Sequence, residues 1–184
     1  MSRRQTTFLG IDPSCNGTGI VRWCVKRVEL MAHVTPKRKK GGERLLLIRD
    51  AVRACLDNTV ELVAIENYSL GSENKAFLLG EVGGVVRLAC AEFGVPYIEV
   101  APTQLKQFAT GNGGASKERV RDALEENTGF TSKILDITDA TVLALIAEAV
   151  HLGKSPRDRR CEEEVVKRLL NPVRKTPRKR PQDL

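Results

Sequence analysis

Aromatic residues make up only 4% of this 184-residue chain, so Ile, Val, Leu and Ala must build most of any core. Cysteine is scarce and odd in number, with Cys15, Cys24, Cys55, Cys90 and Cys161 and no Cys-x-x-Cys pair. That spacing argues against a zinc site or a disulfide framework and fits a cytoplasmic or nuclear setting with reduced thiols. Only two histidines occur, His33 and His151, neither next to a cysteine. His151 reads as a helix-end residue beside a C-terminal dipole. No apolar run approaches the roughly 18 residues of a membrane span. Ser2-Arg3-Arg4 has the charge of a secretory leader's start, but the apolar run behind it stops at Asp12, so no leader is expected.

What is present is 41% hydrophobic residues and a formal charge of +7. The length suffices for one domain with a sizeable core and a tail. The charge favours an anionic partner, nucleic acid first and a membrane surface second.

Residues 6–12 read as a buried strand, Gly17 to Val25 as a second and Val28 to Val34 as a third. Short turns between them suggest an antiparallel meander. The loop from Pro36 to Gly42 carries Lys37, Arg38, Lys39 and Lys40, a solvated loop or a phosphate contact. Glu43 to Leu56 has helical spacing, and a strand then leads to Glu66. Ser72 to Phe93 reads as a long helix capped by Ser72. Gly80, Gly83 and Gly84 weaken it by up to about 1 kcal/mol each relative to alanine, which points to close packing on the sheet, on a second subunit, or on both. A short strand, Tyr97 to Val100, precedes a helical turn over Thr103 to Ala109. Ser116 caps a helix to about Glu126, and Asp136 opens the last core helix. Arg157 to Leu170 suits a peripheral amphipathic helix, and Asn171 to Leu184 is basic, proline-containing and expected to be disordered when free. A meander followed by alternating helices and strands gives an α/β fold with a mixed five-stranded sheet flanked by helices. The domain is expected over 1–153, with a basic extension over 154–184.

Four carboxylates stand where they could meet. Asp12 and Glu66 end two apolar strands, and Asp136 and Asp139 lie at i and i+3 at a helix start. Packed like charges repel, and burial raises the cost. A divalent cation removes that penalty, and oxygen ligands suit Mg²⁺ or Mn²⁺. Two such ions roughly 4 Å apart serve phosphodiester cleavage. Lys117 and Lys106 are placed to hold the phosphate. Each acid also has a local explanation: Asp12 can start a turn, Glu66 can end a strand, and Asp136 and Asp139 can cap a helix or face its positive end.

At this point the residues resemble the RuvC family of Holliday junction resolvases, within the RNase H-like superfamily. The resemblance rests on Leu9-Gly10-Ile11-Asp12-Pro13-Ser14, Val63-Ala64-Ile65-Glu66, Ala101 to Gln107, Ala115-Ser116-Lys117 and Asp136-Ile137-Thr138-Asp139-Ala140. It implies metal ligands at Asp12, Glu66, Asp136 and Asp139, two Mg²⁺ or Mn²⁺ ions per site, and supporting lysines at Lys106 and Lys117. It also implies a homodimer, formed through the helix over 72–93, that nicks opposed strands of a four-way junction. Tyr68 stands near the position of an aromatic that the family uses against junction bases, in a segment about one residue shorter. Lys37 to Lys40 and the tail beyond Gly153 are not standard parts of the bacterial enzymes, so cleavage of other branched DNA is an alternative. Among phage-like relatives the compartment would be the host cytoplasm. No membrane or small-molecule substrate is expected. Two other readings compete: an actin-like nucleotide hydrolase, suggested by Ile11 to Thr18 but lacking room for a second domain, and a branched-DNA binding protein without chemistry, against which the retained acids argue because they would repel phosphate.

Overall fold

The computed structural model describes residues 5–67 and 73–171. Ser72, Tyr68 and the tail from Pro172 onward therefore lie outside the described residues. The elements run β1 (Thr7–Asp12), β2 (Thr18–Cys24), β3 (Arg27–Val34), α1 (Gly41–Ala54), β4 (Val60–Glu66), α2 (Glu73–Phe93), β5 (Tyr97–Val100), α3 (Pro102–Thr110), α4 (Lys117–Thr128), α5 (Leu135–Leu152) and α6 (Arg160–Leu170). The expected meander and the alternation behind it are both present. Boundaries shift by a few residues: α1 starts at Gly41, so Lys40 is its N-cap. Pro102 opens α3, where its fixed φ and missing N–H cost nothing. Ser116 caps α4 as expected, its hydroxyl accepting from the Arg119 N–H.

The sheet order is β3-β2-β1-β4-β5. β1–β2 and β2–β3 are antiparallel, and β1–β4 and β4–β5 are parallel. β1 is thus central, with β4 on one side and the meander on the other. Side chains alternate across the strands. Leu9 and Ile11 of β1, with Val63 and Ile65 of β4, pack on the α1 and α2 face against Ile48, Val52, Val82 and Val86. Phe8, Leu62 and Ala64 face the other way, into a core with α3, α4, α5 and α6.

Helix α5 is apolar around most of its circumference because it is covered on every side. All residues from Ile137 to Val150 are buried, between the sheet and helices α3, α4 and α6. It sits close to the strands because they are small where it crosses. A Cβ at Gly10 would collide with the α5 backbone at Ala140 and Ala144, and one at Gly19 would collide with the Asp136 carbonyl.

Helix α6 is amphipathic as expected, yet it is less peripheral than the sequence suggests. Val165 and Val166 are buried in the same core. Glu162 is buried too, and is paired with Arg157 and Arg159, with Nε and Nη1 at 3.0 and 3.1 Å, while it accepts a hydrogen bond from the Ser155 hydroxyl. In sequence α6 belongs to the extension; in space it closes the domain.

Candidate active site

The register of the sheet assembles the first half of the site. Ile11 pairs with Ile65 on parallel neighbours, so the next residues, Asp12 and Glu66, end adjacent strands side by side. Both share the parity of Gly10 and Ala64, which places them on the α5 face. The tight crossing of α5 supplies the second half, since its first turns carry Asp136 and Asp139 over those strand ends. Asp136 does not cap the helix; the N-cap is Ile134 and Asp136 lies in the first turn.

The site buries negative charge without enough positive charge to match. Asp12 and Asp139 are 7% and 5% exposed. Burial, then the neighbouring Glu66 charge and its hydrogen bond, then Asp139, hold the Asp12 carboxyl well above the usual carboxylate range. Burial also raises Glu66, although the hydrogen bond from Asp12 and the Lys117 and Lys106 charges oppose it. Burial thus favours the neutral form of both carboxyls. Burial raises Asp139 as well, outweighing its ion pair with Lys117 Nζ at 3.1 Å. Burial works against the charge on Lys117, but Asp139, Asp12 and Asp136 together raise its pKa. One lysine thus serves several acids.

Asp136 is engaged elsewhere. Its Oδ2 accepts a hydrogen bond from His33 Nε2 of β3 at 2.9 Å. Asp12, Glu66 and Asp139 gather around Lys117, while Asp136 stands at the rim, close enough to Asp139 to raise its pKa. Among the described residues no three acidic, imidazole or thiol groups enclose a ready-made metal cage; Asp139 is held by a lysine and Asp136 by an imidazole. The donor set fits hard divalent ions. Its acids offer oxygen ligands, and burial of three carboxyls around mainly one lysine is a charge deficit that a cation would relieve.

Lys106 and Lys117 line a cavity of about 260 Å³ together with Pro13, Glu66, Asn67 and Asp139. A larger one, about 590 Å³, opens at the opposite end of β1 between Phe8, Trp23 and Leu152. It holds none of the four acids, so volume alone does not mark the site. Lys37 to Lys40 are exposed. They follow the end of β3, where Val34 pairs with Thr18, and so leave the sheet at the end that carries Asp12. Tyr68 lies outside the described residues. Sequence reasoning missed His33, because only the β2–β3 register places it opposite Gly19 and beside α5.

Fold and site together define an RNase H-like α/β domain with a carboxylate-rich centre at the ends of its central strands. Residues 8–147 match the family described as crossover junction endodeoxyribonuclease RuvC. The chain is 32% identical to the crossover junction endodeoxyribonuclease RuvC of Chloroflexus aggregans, over 74% of this chain and 89% of that protein. It is 33% identical to the one of Bacteroides fragilis, over 77% and 81%. Thermus thermophilus RuvC in complex with Holliday junction substrate superposes with a TM-score of 0.68 at 28% identity, over 76% of this chain and 90% of that one. The chain belongs to the RuvC family.

Proposed function

We propose that this protein is a DNA endonuclease that resolves Holliday junctions by metal-dependent nicking of opposed strands. The observation that carries the reading is the buried, charge-deficient group Asp12, Glu66 and Asp139 around Lys117, on a chain that matches RuvC over most of its length. Asp12, Glu66, Asp136 and Asp139 would hold two Mg²⁺ or Mn²⁺ ions, which supply an activated water and stabilise the leaving oxygen. Lys117 offers an ammonium to the charge that develops on the phosphate, and Lys106, on the same cavity wall, orients the strand. Lys37, Arg38, Lys39 and Lys40 leave the sheet at this end and offer backbone contacts without sequence preference. Tyr68 is proposed to stack on a junction base.

Dimerisation through α2 has support in its two faces. Val82, Val86, Ala89 and Cys90 are buried against the sheet. On the opposite side Phe77, at 86% exposed, and Leu88 share a face with Gly80 and Gly84, where an added Cβ would meet nothing. Gly83 is buried, so packing within its own domain accounts for that glycine and not for the other two. An exposed apolar stripe with small residues between large ones suits a second copy of the helix. Sedimentation should give a dimer, and Gly84→Arg should give a monomer that binds a junction but nicks it without symmetry.

The deciding experiment is a synthetic four-way junction with each strand labelled in turn, run beside duplex, flap and fork substrates with Mg²⁺, with Mn²⁺ and with chelator. Paired nicks on opposed strands that depend on the ion support the proposal. Junction binding without nicks under every condition would establish the binding-protein alternative, and equal cutting of flaps and forks would establish the broader nuclease.

A further inference from the structure

Asp136 differs from the other three acids in what holds it. Asp139 pairs with Lys117; Asp136 instead meets His33, which reaches it from the edge strand of the sheet. A carboxylate only accepts, so the Nε2–H of the ring is the donor at 2.9 Å. The backbone is fitted around this bond. A Cβ at Gly17 would lie 2.5 Å from His33 Nε2 and 2.7 Å from Asp136 Oδ2. Gly19, opposite His33 in the β2–β3 register, leaves room for the Asp136 carbonyl. Two glycines on one turn and strand thus make the space in which an imidazole from β3 meets the first turn of α5.

We infer that His33 is a positioning residue for Asp136, its Nε2–H fixing one carboxylate oxygen so that the other is presented to a divalent ion. This rests on the metal-site reading above. Outer groups that orient a metal's carboxylate ligands typically change metal affinity by about 10–100-fold. The bond also ties the edge of the meander to the site, which gives β3 a role beyond completing the sheet.

The test uses Mn²⁺ alone, without DNA, on the full chain, with free Mn²⁺ read by electron paramagnetic resonance. His33→Leu removes the donor at similar bulk and should weaken Mn²⁺ binding about 10–100-fold. His33→Gln restores an N–H at a similar reach and should recover most of that loss. Gly17→Ala keeps both partners but intrudes on their bond, and should weaken binding in the same direction; it carries the test if His33→Leu does not fold. Asp12→Asn serves as the control for the site itself. Wild-type affinity in His33→Leu and Gly17→Ala, with binding lost in Asp12→Asn, overturns the role of His33 and leaves the metal site standing. A His33→Gln protein as weak as His33→Leu also overturns it, because the ring and not its donor would then matter. Absence of Mn²⁺ binding in the wild type overturns the metal-site reading, and the inference falls with it.

Discussion

Two buried carboxylate clusters in this molecule show different balances of charge. Around Glu162, which is 1% exposed, two guanidiniums and a hydroxyl meet two buried carboxylates, since Arg157 also pairs with Glu148 at 3.5 Å. Around Asp12, Glu66 and Asp139, three buried or half-buried carboxyls face mainly one ammonium, that of Lys117. The first cluster is complete and joins α6 to the core. The second is short of cations, and burial without compensation is costly, so its retention points to a partner that the chain does not itself contain.

Mutation should separate the two clusters. The largest effect is expected for Asp12→Asn, which should reduce cleavage by far more than the roughly 10–100-fold typical of groups that only orient a ligand, while junction binding persists. Melting in chelator above neutral pH should show the same variant to be more stable than wild type by a few degrees, at about 2–4 °C per kcal/mol, because one of the repelling charges is gone. Undiminished cutting by this variant would sink the proposed site. Glu162→Gln should do the reverse, leaving Arg159 without its ion pair and Arg157 with Glu148 alone, at a cost of about 3 kcal/mol and lowering the melting temperature by roughly 10 °C. Its cleavage, assayed well below that temperature, should stay close to wild type.

Lys117→Met sharpens the comparison from the cation's side. It should lower cleavage by about 10²–10³-fold if the ammonium stabilises developing charge, and raise the pKa of Asp139 further; a carboxyl titration by nuclear magnetic resonance would detect the second effect. The pH dependence follows from the direction of the shifts. Asp12, Glu66 and Asp139 have raised pKa values in the fold, so the folded state holds more protons than the unfolded chain above about pH 4. In chelator, stability should therefore fall as pH rises from there through the raised values. Added Mg²⁺ or Mn²⁺ should offset the fall, and Asp12→Asn should flatten it; thermal melts across pH with and without the ion would show both. The smallest effect concerns the basic tail. Deleting residues 172–184 should make the salt dependence of junction binding shallower, by about 0.9 in log–log slope for each tail cation that meets a phosphate. An unchanged slope would assign the tail to something else.

Much of the sheet was legible in the sequence because its strands are short apolar runs between turn residues, and because α5 is too long and apolar to be anything but a buried helix. Asp12 and Glu66 stood out because an acid at the end of an apolar strand is unusual, and Asp136 and Asp139 because of their i, i+3 spacing. Three features were not legible. The burial of α6 depends on Glu162 finding Arg157 and Arg159, which its amphipathic pattern does not reveal. His33 looked like any polar residue on a strand. The four acids looked equivalent, whereas in the fold Asp136 stands apart with its own partner.

The order of residues by itself determined the strand ends that carry acids, the parity that turns Asp12 and Glu66 to one face, and the small residues at Gly10, Gly17 and Gly19. Those are local properties, set by alternation and by the size of a side chain. Tertiary structure alone decided which acids are buried together, which meets Lys117 and which meets His33. Those pairings depend on the strand register and on how close α5 lies to the sheet, and a difference of a few ångströms between neighbours far apart in the chain decides where a buried charge finds its partner.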